Sequence, residues 1–229
     1  MREGRNTIKL FEACGQLYVV KRYGQLSYIN RLVYGFLRKS KAERAYCHAQ
    51  RLRRLGIDTP GEIAFLEIRR HGLLQRSYFV SEFSDYKSLC PIMEMDPQCD
   101  KAAPIFEGLA GFLLRMHEAG VLHKDLNIGN ILYREDGCGE YRFQVIDTNR
   151  MQFCRRLSLR KRLDNLRRLS CPAPAYLRIL ECYARLSHIN TDSVQLQGAV
   201  MRLVFEMRQR SKHDLKTFLK RRLRFGSRH

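Results

Sequence analysis

Acidic residues are scarce in this chain. Its 229 residues hold 23 Asp+Glu against 42 Lys+Arg, a formal net charge of +19. Charge of that size bears on partners more than on fold, and it favours anionic surfaces: acidic lipid, phosphorylated glycolipid or nucleic acid. Paired cysteine motifs are also missing. The eight cysteines are scattered, with no C-x-x-C and no metal-ligand spacing, which reads as reduced thiols in a cytosolic protein. No apolar run approaches the roughly 20 residues of a membrane helix. The opening "MREGRNTIKLFEACG" is charged and lacks the apolar centre of a signal peptide. The expectation is a cytoplasmic protein whose membrane contact is at most peripheral. No repeat, low-complexity tract or disordered linker interrupts the chain. What it does hold is 45% hydrophobic residues, enough for one sizeable core or for two small lobes around a cleft.

The hydrophobic pattern changes along the chain. "TIKLFE" and "QLYVVKRY" flank "ACG" and predict a hairpin, Thr7–Glu12 and Gln16–Tyr23. "INRLVYGFLR" reads as a short helix. In "SKAERAYCHAQRLRRLG", Ala42, Ala45, Tyr46, Ala49 and Leu52 recur at helical spacing. Ser40 can cap that helix with Glu43 as its capping-box partner, and Gly56 ends it. "GEIAFLEI" and "SYFVSEF" are strand-like around a turn near "RRHG". A helix is predicted over Ala103–Ala119, then two short strands, "ILYRE" and "YRFQVID", joined by "DGCG". From Arg150 on no strand is expected. Helices are predicted over Leu157–Ser170, Ala173–Leu186, Asp192–Gln209 and Lys212–Phe225. That last part carries 20 Lys+Arg and 5 Asp+Glu.

One stretch resists a purely structural reading. "VLHKDLNIGNIL", Val121 to Leu132, sets a histidine, an aspartate and an asparagine between apolar ends. A buried carboxylate is costly unless paired, and a plain surface loop has no need of Val121, Leu122, Ile131 and Leu132. The pattern suits a loop pinned at both ends with its polar groups aimed into a cleft. Asp125 and Asn130 share that loop, and Asp147 ends a strand across the following hairpin. Lys21 lies in an N-terminal strand, and Glu43 on the helix after it. These are the residue types that phosphoryl transfer requires, because that chemistry is mainly positioning and charge neutralisation. An aspartate takes the proton of the acceptor hydroxyl. An asparagine and a second aspartate hold Mg²⁺ against the phosphates of ATP. A lysine grips the phosphates, and a glutamate fixes the lysine. His123 is read as a structural brace of the loop.

"HKDLNIGNIL" resembles the catalytic loop of protein-kinase-like enzymes, H-R-D-x-x-x-x-N, and "VIDTNR" their metal-binding D-F-G segment. Asn149 stands at the glycine position there, where a left-handed backbone would suit asparagine. "YVVKRY" resembles the lysine strand and "KAERAY" the glutamate helix. A narrower resemblance, over "GRNTIK", "INRLVYGFLRKSKAERAYCHAQRLRRLGIDTPGEIAFLE" and "DLNIGNIL…IDTNRMQF", is to bacterial lipopolysaccharide kinases, the Kdo/heptose kinase group related to InaA. Asn127 stands where Ser/Thr kinases usually carry lysine, and no A-P-E segment follows Asp147.

The resemblance implies a two-lobed α+β protein-kinase-like fold, with an N-lobe over 1–83 and a helical C-lobe over 84–229, joined near Ser81–Asp85. It implies Asp125 as base, Asn130 and Asp147 as Mg²⁺ ligands, and Lys21, Glu43 and Glu82 as residues holding ATP. The acceptor it implies is a hydroxyl of a lipopolysaccharide core sugar, at the cytoplasmic face of the inner membrane. No Gly-rich phosphate loop is visible, since only three residues precede Gly4; the first strand and loop are expected to lie outside this chain. Two alternatives stay open: an atypical RIO-type protein Ser/Thr kinase, and a non-catalytic pseudokinase that binds acidic partners. The basic C-terminal part reads as a solvated face, as a surface for anionic glycolipid and headgroups, or, least of the three, as a nucleic-acid surface, since no aromatic stacking pattern accompanies the charges.

Overall fold

The computed structural model describes residues 6–24, 39–137 and 139–225. β1 (Asn6–Ala13) and β2 (Gln16–Tyr23) form the expected hairpin. Its two turn residues, Cys14 and Gly15, both have positive φ, 52° and 73°, the turn sense that matches strand twist. α1 (Lys41–Arg54) follows. Ser40 caps it, accepting a hydrogen bond from the Glu43 amide at 3.0 Å, and Ala42, Ala45, Ala49 and Leu52 are its buried stripe. β3 (Glu62–Arg70) and β4 (Leu73–Glu82) complete an antiparallel sheet of order β1-β2-β4-β3. Tyr23 packs with Ala42 and Ala45 into a small separate core between this sheet and α1, with Phe79 beside it. The predicted helix in "INRLVYGFLR" falls outside the described residues.

The rest is mainly helical, so the architecture is mixed α+β. β5 (Lys87–Ser88) and α2 (Cys90–Met93) lead into α3 (Ala103–Glu118). α3 is buried on most sides because its apolar residues do not keep to one stripe: Ile105, Phe112 and Leu114 are buried as well as the row Phe106, Leu109, Leu113 and Met116. Each such side chain contributes about 1.5–3 kcal/mol when removed from water. After β6 (Val121–His123) a 3₁₀ turn, Ile128–Asn130, enters the hairpin of β7 (Ile131–Glu135) and β8 (Tyr141–Val145). β5 pairs with β7 at the edge of that hairpin. A second 3₁₀ turn, Thr148–Arg150, precedes β9 (Met151–Phe153). The helices α4 (Leu159–Leu166), α5 (Ala173–Leu186) and α6 (Thr191–Phe225) close the chain. Tyr176, Ile179, Leu180 and Tyr183 of α5 share the main core with α3.

Two expectations need correction. A strand does follow Arg150: β9 pairs antiparallel with β6, Val121 opposite Phe153 and His123 opposite Met151. Three residues are too short to show a period, so the pairing is visible only in three dimensions. The two helices expected over Asp192–Gln209 and Lys212–Phe225 are one, because neither glycine nor proline separates them.

Candidate active site

A cleft of about 510 Å³ lies between the four-stranded sheet and the β7–β8 hairpin, lined by Val19, Lys21, Phe79, Glu82, Asn130 and Asp147 among others. Each arrives there for a local reason. Lys21 sits opposite Phe79 in the β2–β4 register, its side chain only 13% exposed. Glu82 ends β4, where its amide donates to the Gly61 carbonyl at 2.8 Å. Asp147 follows β8 in a left-handed conformation, φ 58° and ψ 49°, which aspartate tolerates better than most residues. The left-handed residue is therefore Asp147, and Asn149 is not among the positive-φ residues. Asn149 instead donates its side-chain amide to Asp147 Oδ1.

Lys21 Nζ and Asp147 Oδ1 are 2.8 Å apart. Glu43 does not meet Lys21. It pairs with Lys39 Nζ at 2.9 Å, four residues before it. The space between β2 and α1 is filled by Tyr23 against Ala42 and Ala45, and Asp147 takes the place expected for the glutamate. Burial first, and then the charge of Asp147, push the Tyr23 phenol well above its ordinary range; it stays protonated beside that carboxylate.

The polar loop is braced from beneath. The Asp125 amide donates to His123 Nδ1 at 3.1 Å, so Nε2 carries the proton and donates to the Ile146 carbonyl at 2.9 Å. Burial pushes the His123 pKa below its ordinary value, opposed by that hydrogen bond. A neutral ring with one donor and one acceptor is what the two partners need. Asn130 and Asn127 both donate side-chain amides to the Asp125 carbonyl, at 2.9 and 3.1 Å. The Ile146 amide donates to the Asn130 carbonyl at 3.0 Å, which ties the loop to the strand end that carries Asp147.

A second layer was not legible in the sequence. Asn165 on α4 donates to the His123 carbonyl at 2.8 Å. Its Oδ1 accepts from His117 Nε2 at 3.2 Å, and His117 Nδ1 accepts from the Tyr183 hydroxyl at 2.9 Å. Burial pushes His117 down to about 4. Thr148 Oγ1 donates to the Ala45 carbonyl at 2.9 Å and the Thr148 carbonyl accepts from His48 Nδ1 at 2.8 Å, hooking α1 to the segment after Asp147. Arg150 reaches Asp125 Oδ2 at 3.4 Å with both side chains largely exposed. The Lys124 amide holds the Arg150 carbonyl at 2.8 Å. The only sequence sign of Arg150 is a cation three residues after Asp147.

Comparison with known proteins fits this geometry. The model of the lipopolysaccharide kinase (Kdo/WaaP) family matches residues 4–176. The 3-deoxy-D-manno-octulosonic acid kinase of Vibrio cholerae serotype O1 is 29% identical over 135 residues, 56% of this chain and 56% of that protein, so the match spans little more than half the relative's length. The solved structure of WaaP in complex with acyl carrier protein superposes with a TM-score of 0.60 at 21% identity, covering 93% of this chain and 87% of that one; a likeness at that identity is one of fold. The family match covers well over half of the chain and runs through Lys21, Asp125, Asn130 and Asp147: this chain belongs to the lipopolysaccharide kinase (Kdo/WaaP) family.

Proposed function

We propose that the chain transfers the γ-phosphate of ATP to a hydroxyl of a lipopolysaccharide core sugar, Kdo or heptose. The observation that carries this reading is the convergence of Lys21, Asn130 and Asp147 on one cleft, with Asp125 on the loop beside it, fixed through its own backbone to Asn130 and His123. The acceptor oxygen attacks the γ-phosphorus, the bond to the β–γ bridging oxygen breaks, and the hydroxyl proton passes to the Asp125 carboxylate. ADP leaves. Lys21 holds the nucleotide phosphates and exchanges its partner Asp147 for them. Glu82, at the end of β4, lines the nucleotide end of the cleft.

The donor set suits magnesium. Asp147 brings a carboxylate and Asn130 an amide oxygen, whose own Nδ2 is already committed to the Asp125 carbonyl. Hard oxygen donors, few in number, leave room for phosphate oxygens and water. Among the described residues no group of three or more His, Cys, Asp or Glu forms a closed cage. When bound, the ion neutralises charge on the transferring phosphoryl group.

The acceptor would be anionic, and two features support that. Arg150 places a cation beside Asp125, and the whole chain carries a net charge of +19. Work at the cytoplasmic face of the inner membrane follows from such an acceptor. Among the described residues no helix is long and apolar enough to cross a membrane, so contact there would be peripheral. The test is incubation with labelled ATP and Mg²⁺ beside a panel of lipid A–core acceptors and a generic protein. Label in a Kdo- or heptose-bearing acceptor supports the reading. Label in the protein substrate alone would overturn it in favour of a RIO-type protein kinase.

A further inference from the structure

α6 has two faces, and only one of them is packed. Towards the core, Val194 is fully buried, Gly198 lies so close to Leu180 that a Cβ would collide with it, and Arg202 sits over the Tyr176 ring and donates to the Cys171 carbonyl. On the opposite side Leu196, Val200, Leu203, Val204 and Met207 are 68, 51, 60, 38 and 67% exposed. Their spacing of four, three, one and three residues places them on a single stripe of the helix. Isolated apolar residues on a surface are ordinary, but an aligned row of five marks an interaction surface.

We propose that this stripe is the seat of an anionic lipid bilayer: α6 lies along the membrane with Leu196, Val200, Leu203 and Met207 in the headgroup–acyl boundary. The idea rests on the reading that the acceptor is a membrane glycolipid. Charge selects this occupant. Thr191–Phe225 contains nine Lys+Arg and three Asp+Glu. Of the acids, Glu206 is tied to Arg202 on the flank of the packed side, Asp192 belongs to the first turn, and Asp214 alone stands among the basic residues. Arg208, Arg210 and Lys212, exposed, begin that basic half where the stripe ends. Burial of apolar area and attraction of lysine and arginine to anionic lipid are the two contributions that hold a helix at a membrane interface, and α6 offers both. A second copy fits less well. Two such helices in parallel would set positive charge against positive charge, and in either direction a stripe from Leu196 to Met207 is shorter than the three heptads a coiled coil needs.

The chain has no tryptophan, which gives a direct probe. The Val200→Trp variant carries a single reporter on the stripe. Its emission should move to shorter wavelength with vesicles of phosphatidylethanolamine and phosphatidylglycerol, and much less with phosphatidylcholine. In sedimentation with the same anionic vesicles, a Leu203→Gln/Met207→Gln variant should bind at least about tenfold more weakly than wild type, because two exposed apolar side chains no longer leave water. Both variants should phosphorylate a deacylated, water-soluble acceptor as wild type does. Unchanged emission from the Val200→Trp variant, or equal vesicle binding by wild type and the double variant, would overturn the proposal. So would a wild-type dimer that the double variant dissociates, or a shift produced by an acidic carrier protein and not by vesicles. Failure of wild type to phosphorylate the soluble acceptor would instead defeat the kinase reading, and leave the vesicle result intact.

Discussion

Asp125 and Asp147 are carboxylates in unlike settings. Asp125 is paired with Arg150 at 3.4 Å, their side chains 46 and 61% exposed. A pair so wet contributes about 0–1 kcal/mol to stability, so in the proposed reaction its use is positional. Arg150→Gln should leave the unfolding midpoint nearly unchanged and raise the KM for a lipid-linked anionic acceptor more than the KM for ATP; an equal rise in both would contradict the acceptor role. Asp147 is paired with Lys21 in the cleft, the side chains 22 and 13% exposed. A double-mutant cycle of Lys21→Met with Asp147→Asn should therefore show coupling of about 0.5–3 kcal/mol in nucleotide binding. The corresponding cycle with Glu43→Ala should be additive, since Glu43 pairs with Lys39. This is where the sequence misleads. The order Lys, Glu, Asp, Asn, Asp is plain in it, but which acid reaches the lysine depends on how Tyr23 fills the gap between β2 and α1, and no spacing encodes that.

At the scale of elements, tight approaches decide. Gly120, φ 75°, turns α3 into β6, and a Cβ there would overlap the Cys154 carbonyl just beyond β9. Gly120→Ala combines a left-handed backbone with that clash and should cost more than the 1–3 kcal/mol or so of backbone strain alone, read as a fall in the urea midpoint. His117 links α3 to α4 and α5 through Asn165 and Tyr183. Its folded pKa of about 4 lies below the ordinary 6.5, so between those values the unfolded chain binds the extra proton. Stability falls as pH drops through that window, by on the order of 3 kcal/mol at its acid end. The urea midpoint of wild type should decline between pH 6.5 and 4, and His117→Gln should flatten that decline; an equally steep decline in the variant would place the effect elsewhere. Helix α1 was legible because its cap and alanine stripe obey local rules. β6 and β9 were not, since three-residue strands exist only through each other.

For the whole molecule, the division into a strand-rich N-terminal part and a helical remainder could be read from where the period changes from two to 3.6. Position within the fold could not. Asn165 and Tyr183 lie 42 and 66 residues beyond the groups they support, and a long-range hydrogen bond leaves no periodic trace. The exposed row on α6 was hidden for a related reason: Leu196, Val200 and Leu203 match the spacing of a buried stripe, and only the structure shows that Val194 and Gly198 take the packed side. In the proposed reaction the cleft holds the nucleotide while Asp125 receives the acceptor proton. The direct measurement is single-turnover phosphoryl transfer from labelled ATP to a lipid A–core acceptor by Asp125→Asn, with nucleotide affinity measured on the same preparation. The transfer rate should fall by about 10²–10⁴, the usual weight of general base catalysis, while the Kd for Mg·ATP stays close to wild type. A variant that transfers phosphate at the wild-type rate, or one that loses nucleotide binding in step with the rate, would show that Asp125 does not take the proton.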